Sequence, residues 1–202
     1  KLDVTLAIDR AGLVGEDGPT HAGNLDIAYL RCVPELILAA PSNEQECYQL
    51  LATAYHHPGP ATVRYPRGTG PGVPLSPAAA LLPVGAGRQV VPGQTVVVLN
   101  FGVLLPDAEA IARRRGFALC DMRWIKPLDG ELIRQQLGQA SLLVTLEEGS
   151  IMGGAGSAVA EFLAAQGLVV PLLQLGLPDI NIDHARREQQ LARIGLDEAG
   201  IE

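Results

Sequence analysis

The chain has 202 residues, 48% of them hydrophobic and 18% charged, which is enough apolar material for one large or two small cores and too much for a disordered chain. A formal net charge of -7 argues against a broad nucleic-acid or anionic-membrane surface, so an anionic ligand has to be met by local arginines. No apolar run reaches the roughly 20 residues that span a bilayer and no leader-like opening is present, so the expectation is a cytoplasmic protein with no membrane or nucleic-acid partner.

The opening KLDVTLAI reads as a buried strand of α/β type. Residues 9–23, DRAGLVGEDGPTHAG, follow it and set Arg10, Asp17 and His21 among Gly12, Gly15, Gly18 and Gly23. Glycine admits positive φ and close backbone approach, while Asp, His and Arg bring a carboxylate, an imidazole and a permanent cation. At a strand end, such a loop offers an acid–base pair and an anion anchor. A surface turn whose Asp and His only cap backbone is the alternative, and the RYPRG further along favours the first reading.

NLDIAYLRCVPELILAAPS reads as a short helix, a turn near Pro34 and a buried strand ending at Pro41. Ser42 begins a helix to about Tyr55 in SNEQ, with Ser-x-x-Gln capping-box spacing. ATVRY is a strand, after which 71–92 turns rich in Pro, Gly and Ala and reads as a linker with a short strand near Arg88. Beyond it, QTVVVLNFG, FALCDMRW, SLLVTLEEG and VPLLQLGLP read as strands alternating with helices of about ten residues, hence a parallel sheet with right-handed crossovers. A terminal helix and turn close the chain. The expected domains are 1–70 and 93–202. Cys32, Cys47 and Cys120 are odd in number and sit in apolar context, which predicts reduced core thiols. An opening at Lys1, straight into a core-like strand, reads as a fragment.

GEDGPTHAG closely resembles the GEDGPTH signature of the transketolase superfamily of thiamine diphosphate enzymes. The likeness continues through YLRCVPELILAAPSNEQE, RYPRG, LNFG, DMRWIKPLD, EEGSIMGGAGS and LGLPD, nearly the whole chain. It implies an α/β fold in which a partial pyrimidine-binding-type parallel-sheet domain precedes a transketolase C-terminal-like domain. RYPRG and LRCVPE are most similar to the branch that condenses pyruvate with D-glyceraldehyde 3-phosphate with loss of CO2, a homodimeric transferase at the entry to isoprenoid, thiamine and pyridoxal synthesis. A transketolase, a 2-oxo acid dehydrogenase β-type chain and a non-catalytic dimerisation or regulatory module are the alternatives.

By the same resemblance, His21 lies over the cofactor's thiazolium and moves a proton at the donor substrate, Asp17 contacts a substrate hydroxyl, and Arg10 with Arg67 holds the acceptor's phosphate. Both arginines follow strands of one predicted parallel sheet and so reach the same edge. Thiamine diphosphate and Mg²⁺ are the implied cofactors, with the diphosphate and metal site expected in a missing N-terminal part, which would leave these residues inactive alone. Three structural readings complete the set: Arg64 in an ion pair, His56 and His57 at a solvated helix end, and the glycines of EEGSIMGGAGS in close helix packing, because Glu147 and Glu148 would repel a phosphate.

Overall fold

The computed structural model describes residues 2–78 and 80–202 and builds two sheets with one core running between them. The first sheet has strand order β1-β3-β2-β7, from β1 (Thr5–Ile8), β3 (Ala61–Arg64), β2 (Ile37–Ala39) and β7 (Trp124–Lys126). β1 and β2 both pair parallel to β3, with Ile8 opposite Arg64, so residues after β1 and after β3 emerge at one edge. β7 closes the other side antiparallel to β2.

The second sheet has order β4-β6-β5-β8-β9, from β4 (Arg88–Val91), β6 (Ala118–Asp121), β5 (Thr95–Phe101), β8 (Ala140–Ser150) and β9 (Leu172–Leu177). Only β4 is antiparallel. Among the described residues, seven α-helices accompany the sheets: α1 (Asp26–Arg31), α2 (Glu44–His56), α3 (Leu105–Arg115), α4 (Gly130–Leu137), α5 (Ala155–Ala165), α6 (Arg187–Arg193) and α7 (Glu198–Ile201). Ile27 and Leu38 from the first part pack in one cluster with Phe101, Met122, Ile133 and Val159 from the second.

Several expectations are corrected. The segment FALCDMRW is not one strand: Arg123, at φ 59, turns the chain between β6 and β7 and sends the second piece into the other sheet. A positive φ is unfavourable for arginine, and its Nε is held 2.7 Å from Glu46 Oε1 in partial compensation. The first strand is not buried, because β1 has only β3 beside it and Leu6 remains exposed. The α2 cap is Asn43, one residue later than read, whose side chain accepts from Glu46 N at 2.9 Å. Ser42 Oγ instead lies 2.8 Å from Glu46 Oε2 and 3.1 Å from Asp121 Oδ2, buried between the sheets.

Segment 71–92 is less of a free linker than its composition suggests. Glu44 accepts from Gly72 N at 2.8 Å and Gln49 donates to Ala80 O at 2.7 Å, so it runs along α2, and its last residues form β4. Among the cysteines, Cys120 is buried and Cys47 partly so, burial pushing their thiols up to about 12 and about 11, whereas Cys32 is exposed at the end of α1 rather than in the core.

Candidate active site

The 9–23 loop is pinned first at its base. Ala11 N donates to Tyr65 O at 3.0 Å, Gly12 N to Gly23 O at 2.9 Å and Gly23 N to Arg10 O at 2.8 Å, which closes it into a ring above the β1 and β3 ends. Arg64 reinforces the closure, its Nη2 donating to Gly23 O at 3.1 Å and Glu148 O at 3.0 Å while Nε pairs with Asp26 at 2.7 Å. Both members of that ion pair are buried, the structural role predicted for Arg64.

The second part of the chain then takes the loop's interior backbone groups. Glu148 Oε1 accepts from Leu13 N at 2.7 Å, and Leu13 itself fills the core under β8 and β9. Gln190, on α6, satisfies both polar groups of Gly15: Oε1 accepts from its N at 2.9 Å and Nε2 donates to its O at 3.2 Å. Glu148 also pairs with Arg187. Two close approaches require glycine: a Cβ on Gly12 (φ 78) would stand 2.5 Å from Glu148 Cγ, and one on Gly18 (φ 75) would collide with the His184 ring. None of Glu148, His184, Arg187 or Gln190 was singled out as a site residue from sequence, since a Gln or Arg on a polar terminal helix carries no signal until its partner is known.

What the clasped backbone leaves outside is side-chain chemistry. Arg10 and Arg67, from the ends of parallel strands, meet at one carboxylate: Asp17 Oδ2 is 3.3 Å from Arg10 Nε and 2.8 Å from Arg67 Nε. Arg10 Nη1 also reaches Asp9 at 2.7 Å. His21 is exposed on the outer limb, its Nδ1 3.0 Å from Thr20 Oγ1. The structure thus brings Asp17, Arg10 and Arg67 into contact and sets His21 four residues further along the loop, with no hydrogen bond to Asp17 among the described residues.

The other glycine-rich turn is filled from within. Glu147, buried at the end of β8, accepts from Ala155 N and Gly156 N, both at 2.7 Å, and so occupies the start of α5 with the chain's own carboxylate. Burial outweighs those two bonds and pushes the Glu147 carboxyl up to about 7.

The family model "Transketolase, pyrimidine binding domain" matches residues 1–72, and "Transketolase, C-terminal domain" matches residues 85–201, more than half of the chain. The chain belongs to the transketolase family. Among its relatives, the 1-deoxy-D-xylulose-5-phosphate synthase of Cellvibrio japonicus (strain Ueda107) is 60% identical over 201 residues, covering 100% of this chain and 32% of the relative. That of Saccharophagus degradans (strain 2-40 / ATCC 43961 / DSM 17024) is 58% identical over 200 residues, covering 99% and 31%. A solved structure described as "Split gene transketolase, inactive beta4 tetramer" superposes with a TM-score of 0.84 at 28% identity, covering 100% of this chain and 65% of that one. The chain spans about a third of the length of the curated synthases it matches. Within this transketolase-family chain the β2–β7 pairing crosses the two matched regions, so the first sheet is completed by a strand from the C-terminal domain.

Proposed function

We propose that this chain supplies the substrate-facing loop of a thiamine diphosphate-dependent transferase that condenses pyruvate with D-glyceraldehyde 3-phosphate with loss of CO2. The observation that carries the reading is the delivery of Arg10 and Arg67, from two parallel strands, to Asp17 in a loop that also presents His21 to solvent. Guanidinium forks match phosphate as well as carboxylate, so a triose phosphate exchanges with or adds to the Asp17 contact and is held by two cations at one end. His21 then donates or accepts a proton at the substrate oxygen, and Asp17 accepts from a substrate hydroxyl. Glu148 and Gln190 keep the loop fixed while this happens.

The donor set fits only the reacting end of the cofactor. One exposed imidazole and one carboxylate suit proton traffic there, whereas no group of three or more His, Cys, Asp or Glu among the described residues is arranged to hold a metal ion. We place the diphosphate and Mg²⁺ ligands outside these 202 residues. When bound, the cofactor supplies carbanion stabilisation. No helix among the described residues is long and apolar enough to cross a membrane, and the proposed setting is the cytoplasm. The proposed assembly is a homodimer, for which Leu25, Tyr29, Met152 and Ile180 leave exposed apolar surface.

Steady-state kinetics of the enzyme containing this chain, with phosphorylated and unphosphorylated glyceraldehyde, tests the reading. Arg10→Gln or Arg67→Gln each lowers kcat/KM for the phosphorylated acceptor by about ten- to a hundredfold, the loss of one charge-assisted hydrogen bond, and spares the unphosphorylated one. Equal losses for both acceptors would reduce the arginines to supports for Asp17 and remove the phosphate-binding role.

A further inference from the structure

The two matched regions also meet at a buried polar joint between α2 and β6. Ser42, just before α2, and Glu46, in its first turn, face Asp121 at the end of β6, with Arg88 of β4 and Arg123 after β6 beside them. Asp121 is fully buried and Glu46 nearly so.

The donors at this joint do not match the oxygens. Ser42 Oγ lies 2.8 Å from Glu46 Oε2 and 3.1 Å from Asp121 Oδ2, yet a hydroxyl has one proton and serves one of them. Glu46 is the better supplied: Ser42 N donates to its Oε2 at 2.9 Å, and Arg123 Nε, on a side chain only 13% exposed, donates to its Oε1 at 2.7 Å. Asp121 has Arg88, whose Nη2 is 3.1 Å from Oδ2 but whose side chain is 45% exposed, so water screens its charge. Asp121 Oδ1 is buried with no hydrogen-bond partner among the described residues, as is Asn100 Oδ1 on the adjacent strand β5. Beyond Asp121 stand the Cys120 thiol, kept neutral by burial, and Asp129, which is turned to Gly87 N and Leu132 N. An ionised Asp121 would set a lone pair against Ser42 Oγ and leave a charged oxygen bare. A neutral Asp121 donates its O–H to Ser42 Oγ, which donates to Glu46 and keeps a second lone pair for Asn43 Nδ2 at 3.3 Å.

From this arrangement we infer that the folded chain holds a proton on Asp121, given in a hydrogen bond to Ser42, and that its release as pH rises weakens the joint between the two matched regions. The inference stands apart from the proposed reaction. Burial first, then the Glu46 charge, pushes the Asp121 carboxyl up to about 7 against the pull of Arg88 and Arg123, so release falls near neutral pH. Between the ordinary 3.8 and about 7 the folded carboxyl keeps a proton that the unfolded one has released. This group's contribution to stability therefore falls as pH rises through that window and levels above it. The place of release matters, because β6 leads through Arg123 into β7, the strand that completes the first sheet.

The test is ¹³C NMR of the chain labelled at its aspartate and glutamate carboxyls, titrated from about pH 5 to about pH 8 and assigned through bonds to the Asp121 and Glu46 backbones. Asp121 is expected to remain an acid at about pH 5.5, where exposed aspartates are ionised, and to titrate with a midpoint near about 7. Ser42→Ala removes the oxygen that accepts the proton and lowers that midpoint by about half a unit to one unit. Asp121→Asn keeps a neutral donor to Ser42 Oγ at every pH. Its melting temperature relative to wild type is expected to rise by about 4–8 °C between about pH 5.5 and about pH 8, and the Glu147 slope, present in both proteins, cancels from that difference. A carboxyl of Asp121 already ionised at about pH 5.5, a near-neutral titration carried by Glu46 instead, a midpoint raised by Ser42→Ala, or a melting difference constant with pH would each overturn the assignment. The wild-type titration decides even where Asp121→Asn folds poorly.

Discussion

Two glycine-rich connections leave the ends of parallel strands in this chain, one after β1 and one after β8, and they dispose of their polar groups in opposite ways. At the second, Glu147 of β8 turns inward to the amides at the start of α5, and Gly154 leaves it room, since a Cβ there would stand 2.5 Å from Glu147 Oε2. After β1, the interior backbone groups are taken by side chains from elsewhere, Glu148 and Gln190, which leaves Asp17 to pair with Arg10 and Arg67 and His21 exposed. Similar composition thus yields a packed turn in one place and the proposed site in the other. The difference is whether the buried amides are met by a carboxylate of the preceding strand or by side chains of distant elements.

That contrast can be broken first at its shared anchor. Arg64 touches both connections through Gly23 O and Glu148 O and is buried on Asp26. Arg64→Met strands the Asp26 carboxylate and is expected to cost about 3–5 kcal/mol in urea unfolding, the price of half a buried pair. A loss under 1 kcal/mol would mean the loop closes without it.

Glu147→Met is next, on the order of 2–4 kcal/mol, because two buried amides lose their acceptor. It should also alter the pH dependence. Between the ordinary 4.5 and about 7 the folded carboxyl still holds a proton that the unfolded one has released, so this group's contribution to stability falls as pH rises through that window and levels above it. The variant lacks that slope, and an unchanged slope in melts from pH 4.5 to 7.5 would contradict the raised carboxyl.

Gln190→Met sharpens the other half of the comparison. Gly15 loses both partners, but water entering from the neighbouring cavity replaces part of them, so about 1–2 kcal/mol is expected. Its signature is kinetic: a looser loop lowers kcat for phosphorylated and unphosphorylated acceptors alike, unlike the arginine variants. A selective loss would place Gln190 in substrate recognition instead.

Much of this was legible in the sequence. Hydrophobic periodicity gives the alternation of strands and helices, and the 9–23 loop, with its glycines and three polar side chain types, stands out against every other connection. The failures have specific causes. KLDVTLAI has the same hydropathy whether or not a neighbour lies beside it, so edge exposure is invisible. The break at Arg123 is unreadable because a positive φ on arginine has no sequence signature. Ser42 and Asn43 are both good caps, and the buried contacts of Ser42 with Glu46 and Asp121 leave the capping to Asn43. The clasp by Glu148 and Gln190 joins residues 135 and 175 positions apart, beyond the reach of local pattern.

The 9–23 loop is held by its backbone, and the proposed role of His21 requires that it work without being part of the fold. His21→Ala, made in the enzyme that contains this chain, tests it most directly, with thermal melting and turnover measured on the same preparation. A stability change within about 0.5 kcal/mol is expected, since the ring is exposed and its Nδ1 partner is the neighbouring Thr20, together with a loss in kcat of roughly 10²- to 10⁴-fold, the range of general acid–base catalysis. Turnover within a few-fold of wild type, or a variant that melts several degrees lower with activity lost in proportion, would contradict it.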